Sequence, residues 1–293
     1  MKIIVILFFS MLLALPTYGQ NRETDYLSHV LEKMNAVESV TYHCVKKAWE
    51  PGDKEPVYSV PREIYEHVNP QDTAVGYSFL CASDKEFRQP LWVYDGTVFA
   101  YIEKEEKEVR IDDFTQKSPL PFRVIMPQAF GCMKSILEYV LNTQDSIVLS
   151  LKDEGKDYLM ELSIHTPYQV EFFGKACYMP QNPYIYDPTS IYKIWISKEN
   201  DMPYRYRREM QHSISEDICS DFVYNPSGKG KIVAEDYYPA DYVRRIKGEK
   251  SQKATVDMTG KKAPDWTLTD MKGQKVSLSG IKSKVILLQF TGI

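Results

Sequence analysis

The chain of 293 residues contains no C-x-x-C pair, and its five cysteines, Cys44, Cys81, Cys132, Cys177 and Cys219, stand more than thirty residues apart. That spacing fits neither a zinc knuckle nor a dithiol redox motif. Histidines number only five and are scattered; His43 stands beside Cys44, but neighbours on a strand point to opposite faces and rarely share a metal. Positive charge is not in excess. Lys and Arg total 36 against 40 Asp and Glu, a net charge of -4, and no basic stretch is interleaved with aromatics, so no nucleic-acid groove is expected. Beyond the first fifteen residues no apolar run is long enough to cross a bilayer. No cysteine follows the apolar N-terminal run, which argues against a bacterial lipoprotein anchor.

What is present is the composition of a folded soluble chain, 43% hydrophobic and 26% charged. Tyrosine is abundant, at 21 residues, and β-branched residues recur in short runs, which leans toward β structure. Met1-Lys2 followed by the apolar run Ile3 to Leu15 has the form of a secretory signal, with small residues at Thr17 and Gly19 placing cleavage before Gln20. Residues 1–19 are therefore expected to be a signal peptide; an uncleaved N-terminal membrane anchor is the alternative. Export to the periplasm or cell envelope follows as an expectation, with the membrane met only through that segment. An oxidising compartment permits disulfides, and an odd cysteine count leaves at least one thiol unpaired. Cys81 lies in an alternating strand pattern and Cys132 on an apolar helical face, so both read as small buried hydrophobes.

The periodicity divides the rest. Thr24 can cap a helix with Leu27, Val30, Leu31 and Met34 on one face and an end near Asn35. From Val40 the period changes to two, as in the alternation of Val75, Tyr77, Phe79 and Cys81. In LWVYDGTVFAY, Asp95-Gly96 between two β-rich runs fits a two-residue hairpin turn. The charged run Glu103 to Arg110 reads as a solvated turn or strand end. A second helix is expected after Pro127, with a stripe of Phe130, Met133, Ile136, Leu137, Val140 and Leu141 ending near Asn142. Hairpin loops follow at Asp153 to Lys156 and Lys198 to Asp201, and the Pro- and Tyr-rich YMPQNPYIYDP between them reads as an irregular loop. Residues 241–256 carry little apolar periodicity and read as a linker.

Residues 20–240 thus read as an α+β domain in which helices cover one face of a curved antiparallel sheet. That element order, with the phrase IWISKENDMPYRYRRE, resembles the LolA-like periplasmic carriers of lipids and lipoproteins. The resemblance implies an incomplete β-barrel holding an apolar ligand under a helical lid, with Trp92, Phe99, Trp195 and Tyr206 as the candidate lining. The alternative is that these aromatics form an ordinary core.

Residues 257–293 point elsewhere. Ala263-Pro264-Asp265-Trp266, a hairpin of Thr267 to Asp270 and Lys275 to Leu278 around Met271 to Gln274, the turn Ser279 to Lys284, and the apolar Val285 to Phe290 resemble the opening of the TlpA/ResA thioredoxin-like thiol-disulfide reductases. The resemblance implies the incomplete start of a thioredoxin-like α/β domain, with Val285 to Phe290 as a central strand and the C-x-x-C beyond Ile293. No catalytic, cofactor-binding or metal-binding residue is expected within the chain, and no cofactor. Two functions follow. One is an exported thiol-disulfide oxidoreductase acting on disulfide-bearing proteins, present as a fragment without its catalytic cysteines. The other is a non-enzymatic carrier of an apolar ligand.

Overall fold

The computed structural model describes residues 18–115, 122–249, 259–270, 272–283 and 285–286. The expected signal peptide therefore lies outside the described residues except for Tyr18 and Gly19, which open the first helix. The chain divides into two compact units, one ending at Glu249 and the other beginning at Lys250.

The first unit opens with helix α1 (Tyr18–Asn35), which starts six residues before the expected cap at Thr24. Strands β1 (Ser39–Trp49), β2 (Tyr58–Val68), β3 (Tyr77–Ala82), β4 (Pro90–Tyr94), β5 (Val98–Glu103) and β6 (Glu108–Asp113) follow as a meander. Helix α2 (Ala129–Asn142) separates them from β7 (Ile147–Asp153) and β8 (Asp157–Ile164), the short hairpin β9 (Val170–Phe172) and β10 (Ala176–Tyr178), and then β11 (Ser190–Ser197), β12 (Met202–Met210) and β13 (Ser213–Tyr224). β14 (Val243–Ile246) falls within the segment expected as a linker and pairs in parallel with β6. Twelve strands form one sheet in the order β14-β6-β5-β4-β3-β2-β1-β13-β12-β11-β8-β7, and apart from β14 every pairing is antiparallel. β14 and β7 remain at opposite edges, so the sheet is open and not a closed barrel.

The period-2 pattern sets the two faces. On β1, Val40, Tyr42 and Cys44 share a face with Ile64 of β2, Cys81 of β3 and Cys219 of β13, and this face carries the main core. Both helices cover it. Leu27, Val30 and Met34 of α1 and Phe130, Met133, Ile136 and Leu137 of α2 are fully buried against it. α2 is apolar nearly all round because it is enclosed on several sides, by α1, β12 and the β9–β10 hairpin. The opposite, outer face is covered differently at its two halves. Tyr65, Leu80, Val93, Ala100, Ile102, Val109 and Ile111 make a second core beneath Ile232 and Ala234. Toward β8 and β11–β13 the outer face is a charged ladder, in which Lys193 lies 3.1 Å from Glu209 and Arg207 lies 2.6 Å from the same carboxylate.

The second unit contains β15 (Thr267–Thr269) and β16 (Lys275–Ser277), a hairpin at the position expected from sequence. Asp270 closes its turn by accepting from the N–H of Lys272 at 2.9 Å and of Gln274 at 2.8 Å. Asp265 accepts from Ser279 N–H at 2.9 Å and Oγ at 2.7 Å, tying the A-P-D-W segment to the turn after β16. The thioredoxin-like reading requires a correction here. Among the described residues β15 and β16 pair only with each other. Val285 and Ile286, placed by that reading in a buried central strand, are not in a strand, and Val285 is 85% exposed. A strand of a parallel α/β sheet is enclosed on both faces, and nothing among the described residues encloses these two. Residues 287–290 lie outside the described residues.

Candidate functional site: a cavity beneath residues 124–129

On the helix-covered face, the aromatic residues of β3, β4 and β5 fall into register. Phe79 stands opposite Tyr94, Tyr94 opposite Phe99 and Trp92 opposite Tyr101. Their rings form a continuous layer, with centroids 6.2 Å apart for Phe79–Phe99, 4.7 Å for Phe99–Tyr101 and 6.2 Å for Trp92–Tyr101. This layer is the floor of a cavity of about 450 Å³. Residues 124–129, the approach to α2, are its roof, and Cys44, Lys46, Arg62 and Asp217 close one wall. The volume is in the usual range for a pocket that takes a small ligand.

The roof is held at both ends. At its start, Arg123 Nη1 donates to Gly96 O at 2.5 Å, to Tyr94 Oη at 2.8 Å and to Asp72 Oδ1 at 3.3 Å. Tyr94 in turn donates to Asp72 Oδ2 at 2.6 Å. The receiving carbonyl sits in the turn between β4 and β5, where Asp95 Oδ1 accepts from Thr97 N–H at 2.8 Å and Val98 N–H at 3.0 Å, so the turn takes in Thr97 beyond the two residues expected. Gly96 is required there. Its φ is +98°, and a Cβ would lie 2.5 Å from Asn69 Nδ2.

At its other end the roof enters α2. The residue before the helix, Gln128, makes no side-chain cap. The cap comes from across the sheet: Glu66 of β2, fully buried, accepts from Phe130 N–H at 2.9 Å, from Gly131 N–H at 3.0 Å and from Tyr42 Oη at 2.5 Å. These are two of the helix's otherwise orphaned donors. Burial pushes the Glu66 carboxyl up to about 7, outweighing the lowering by its three donors. Burial and the adjacent Glu66 carboxylate also push the Tyr42 hydroxyl well above its ordinary value.

Of the four residues chosen from sequence, the structure brings two together. Trp92 and Phe99 line the cavity floor. Trp195 alternates with the buried Tyr192, Ile194 and Ile196, so it faces outward, and the Arg205 guanidinium lies 3.9 Å from its ring centroid. Tyr206 is 2% exposed in the main core and does not line the cavity. Sequence reading missed Arg62, Lys46, Asp217 and the roof. All five cysteines are free and buried, Cys44 at the cavity wall. Among the described residues no group of three or more His, Cys, Asp or Glu side chains could hold a metal ion, and no helix is long and apolar enough to cross a membrane. A wider depression of about 660 Å³ lies at Lys156–Asp157 and Ser197–Asn200, but it is lined mainly by polar hairpin tips and none of its side chains carries an unpartnered buried polar atom.

No protein-family model matches the sequence, and no curated protein matches it. Among solved structures the chain is similar to a DUF1329 family protein from Desulfovibrio piger, with 12% identity, a TM-score of 0.34 and 75% of this chain covering 97% of that one. It is similar to the lipoprotein LppX from Mycobacterium tuberculosis, with 8% identity, a TM-score of 0.35 and 72% of this chain against 99% of that one. A LolA superfamily protein from Nitrosomonas europaea has 10% identity, a TM-score of 0.27 and coverage of 74% and 99%. None of the three is a thioredoxin-type reductase. With Val285 and Ile286 outside any strand and Val285 exposed, the oxidoreductase reading, and with it disulfide-bearing protein substrates, is not carried further.

Proposed function

We propose that the first unit is an exported, non-enzymatic carrier or binding domain of the LolA-like, incomplete-barrel kind, and that it holds an apolar chain between the aromatic floor and the 124–129 roof. We take this domain to run from residue 20 past the expected end at 240, through β14 to Glu249. The observation that carries the reading is the cavity itself: Phe79, Trp92 and Phe99 beneath Val124, Ile125 and Met126, on the face that the helices cover. An open sheet with its apolar face roofed by a short segment can admit a ligand by displacing that segment, without opening the main core. Each methylene moved from water into such a site contributes about 0.8 kcal/mol, so even a part-filled cavity binds a chain usefully.

The position of Trp92 supplies the test. A monoacylglycerol brominated along its chain is titrated into the full chain and tryptophan emission is followed. Quenching is expected in the wild type and in Trp195→Phe, and should be largely lost in Trp92→Phe. Equal quenching in all three would place the chain elsewhere and remove the proposal.

A further inference from the structure

The cavity contains two buried polar atoms that lack a hydrogen-bond partner among the described residues, Arg62 Nε and Asp217 Oδ1. They are not equivalent. Asp217, 6% exposed, lies with its other carboxylate oxygen 3.6 Å from Lys46 Nζ, so these two opposite charges offset one another. Arg62 has no such counterion: no ion pair joins it to an acidic residue among the described residues. Its guanidinium lies 4.5 Å from the centroid of Trp92, on the cavity floor. The three charged groups of the lining therefore sum to one uncompensated cation, placed against apolar surroundings.

A half-buried guanidinium without a counterion is costly. The cost is recovered if the ligand brings the anion. Arg presents a planar fork of donors that matches carboxylate and phosphate oxygens, and stacking on Trp92 holds that plane in place. Building on the carrier reading, we infer that the ligand is an acyl amphiphile with an anionic head, its carboxylate or phosphate oxygens accepting from Arg62 while its chain lies along Phe79, Trp92 and Phe99. The bare Asp217 oxygen remains as an acceptor for a donor on the same head, such as a glycerol hydroxyl.

The shared chemistry has two sources, a free fatty acid and a phospholipid, and the experiment separates them. A neutral fluorescent probe, N-phenyl-1-naphthylamine, is bound to the full chain and displaced by matched pairs below their micellar concentrations. One pair is palmitate against hexadecanol; the other is monopalmitoyl lysophosphatidylglycerol against monopalmitoylglycerol. At least one acidic member should displace the probe at tenfold lower concentration than its uncharged partner. In Arg62→Gln that ratio should fall toward one, and in Arg62→Lys it should be partly restored. A preference in the palmitate pair alone points to a fatty acid, and one in the lysolipid pair alone to a phospholipid. A wild-type ratio near one, or a ratio unchanged in Arg62→Gln, would overturn the anionic head and leave the carrier intact. Probe displacement by none of the four would overturn the carrier reading as well.

Discussion

Glu66 is the residue on which the roof of the cavity depends. Its carboxyl joins two structural facts: it fixes Tyr42, and it caps α2 where the roof becomes helix. Because burial raises its pKa from 4.5 to about 7, the folded state holds the proton more tightly than the unfolded chain does. The stability this adds is complete below about pH 4.5 and is lost as pH rises through 7, in total roughly 3 kcal/mol for a shift of that size. Thermal unfolding followed between pH 5 and pH 8 should therefore show a declining midpoint in the wild type, and Glu66→Gln should flatten much of that decline. Superimposable profiles for the two proteins would refute the assignment. In the sequence, the face shared by Arg62, Ile64 and Glu66 was the available signal. Two charged residues flanking an isoleucine, two apart on one strand, put charge on the face that packs the core.

Among the elements, α2 shows where propensity and packing oppose one another. Gly131 sits in its first turn, and alanine there should favour the helix by about 1 kcal/mol on propensity alone. A Cβ at this position, however, would stand 2.9 Å from Glu66 Oε2, 3.0 Å from the Tyr77 ring and 3.2 Å from Pro127. The buried carboxylate that must reach Gly131 N–H has no room to withdraw without losing its bond. Overpacking of this kind costs about 1–3 kcal/mol, so Gly131→Ala should lower the stability of the protein by about 1 kcal/mol in chemical denaturation, against the propensity scale. A stabilised variant would show that the cap is looser than its distances indicate. The helix itself was legible, because its stripe of Phe130, Met133, Ile136, Leu137, Val140 and Leu141 has the right period; the first five are buried and Leu141 is partly buried. The hairpins at Asp153 and Asp201 were legible for a related reason, since turn residues separated alternating runs; Asp201 adopts φ +53° in the turn. Trp195 was misplaced although the alternation of IYKIWIS already set Lys193 and Trp195 on one face, away from Tyr192, Ile194 and Ile196.

At the scale of the whole molecule, the antiparallel α+β architecture with covering helices was readable because most strand pairings join neighbours in sequence, with β1–β13 the long-range exception among the antiparallel pairs. What escaped was non-local. β14 joins β6 across more than a hundred residues of chain, in parallel, and its sequence lacks the periodicity of a buried strand because it is an edge. The opposite error occurred in residues 263–290. There a run of family-like words was convincing locally, but no tertiary partner for Val285 and Ile286 stands among the described residues. The cavity was half visible: the shared face of Trp92 and Phe99 could be read from LWVYDGTVFAY, but the two-residue turn expected there pairs Trp92 with Phe99 where the structure pairs Tyr94 with Phe99 and Trp92 with Tyr101. Its roof, a non-periodic segment leading into a helix, could not be read. The central claim is that this cavity receives an acyl chain, and a chain-length series tests it most directly. For saturated monoacyl ligands of increasing length competing against one probe, affinity should rise roughly fourfold per methylene while the chain is filling the cavity, then level off once the cavity of about 450 Å³ is full. Affinity that does not depend on chain length would contradict it.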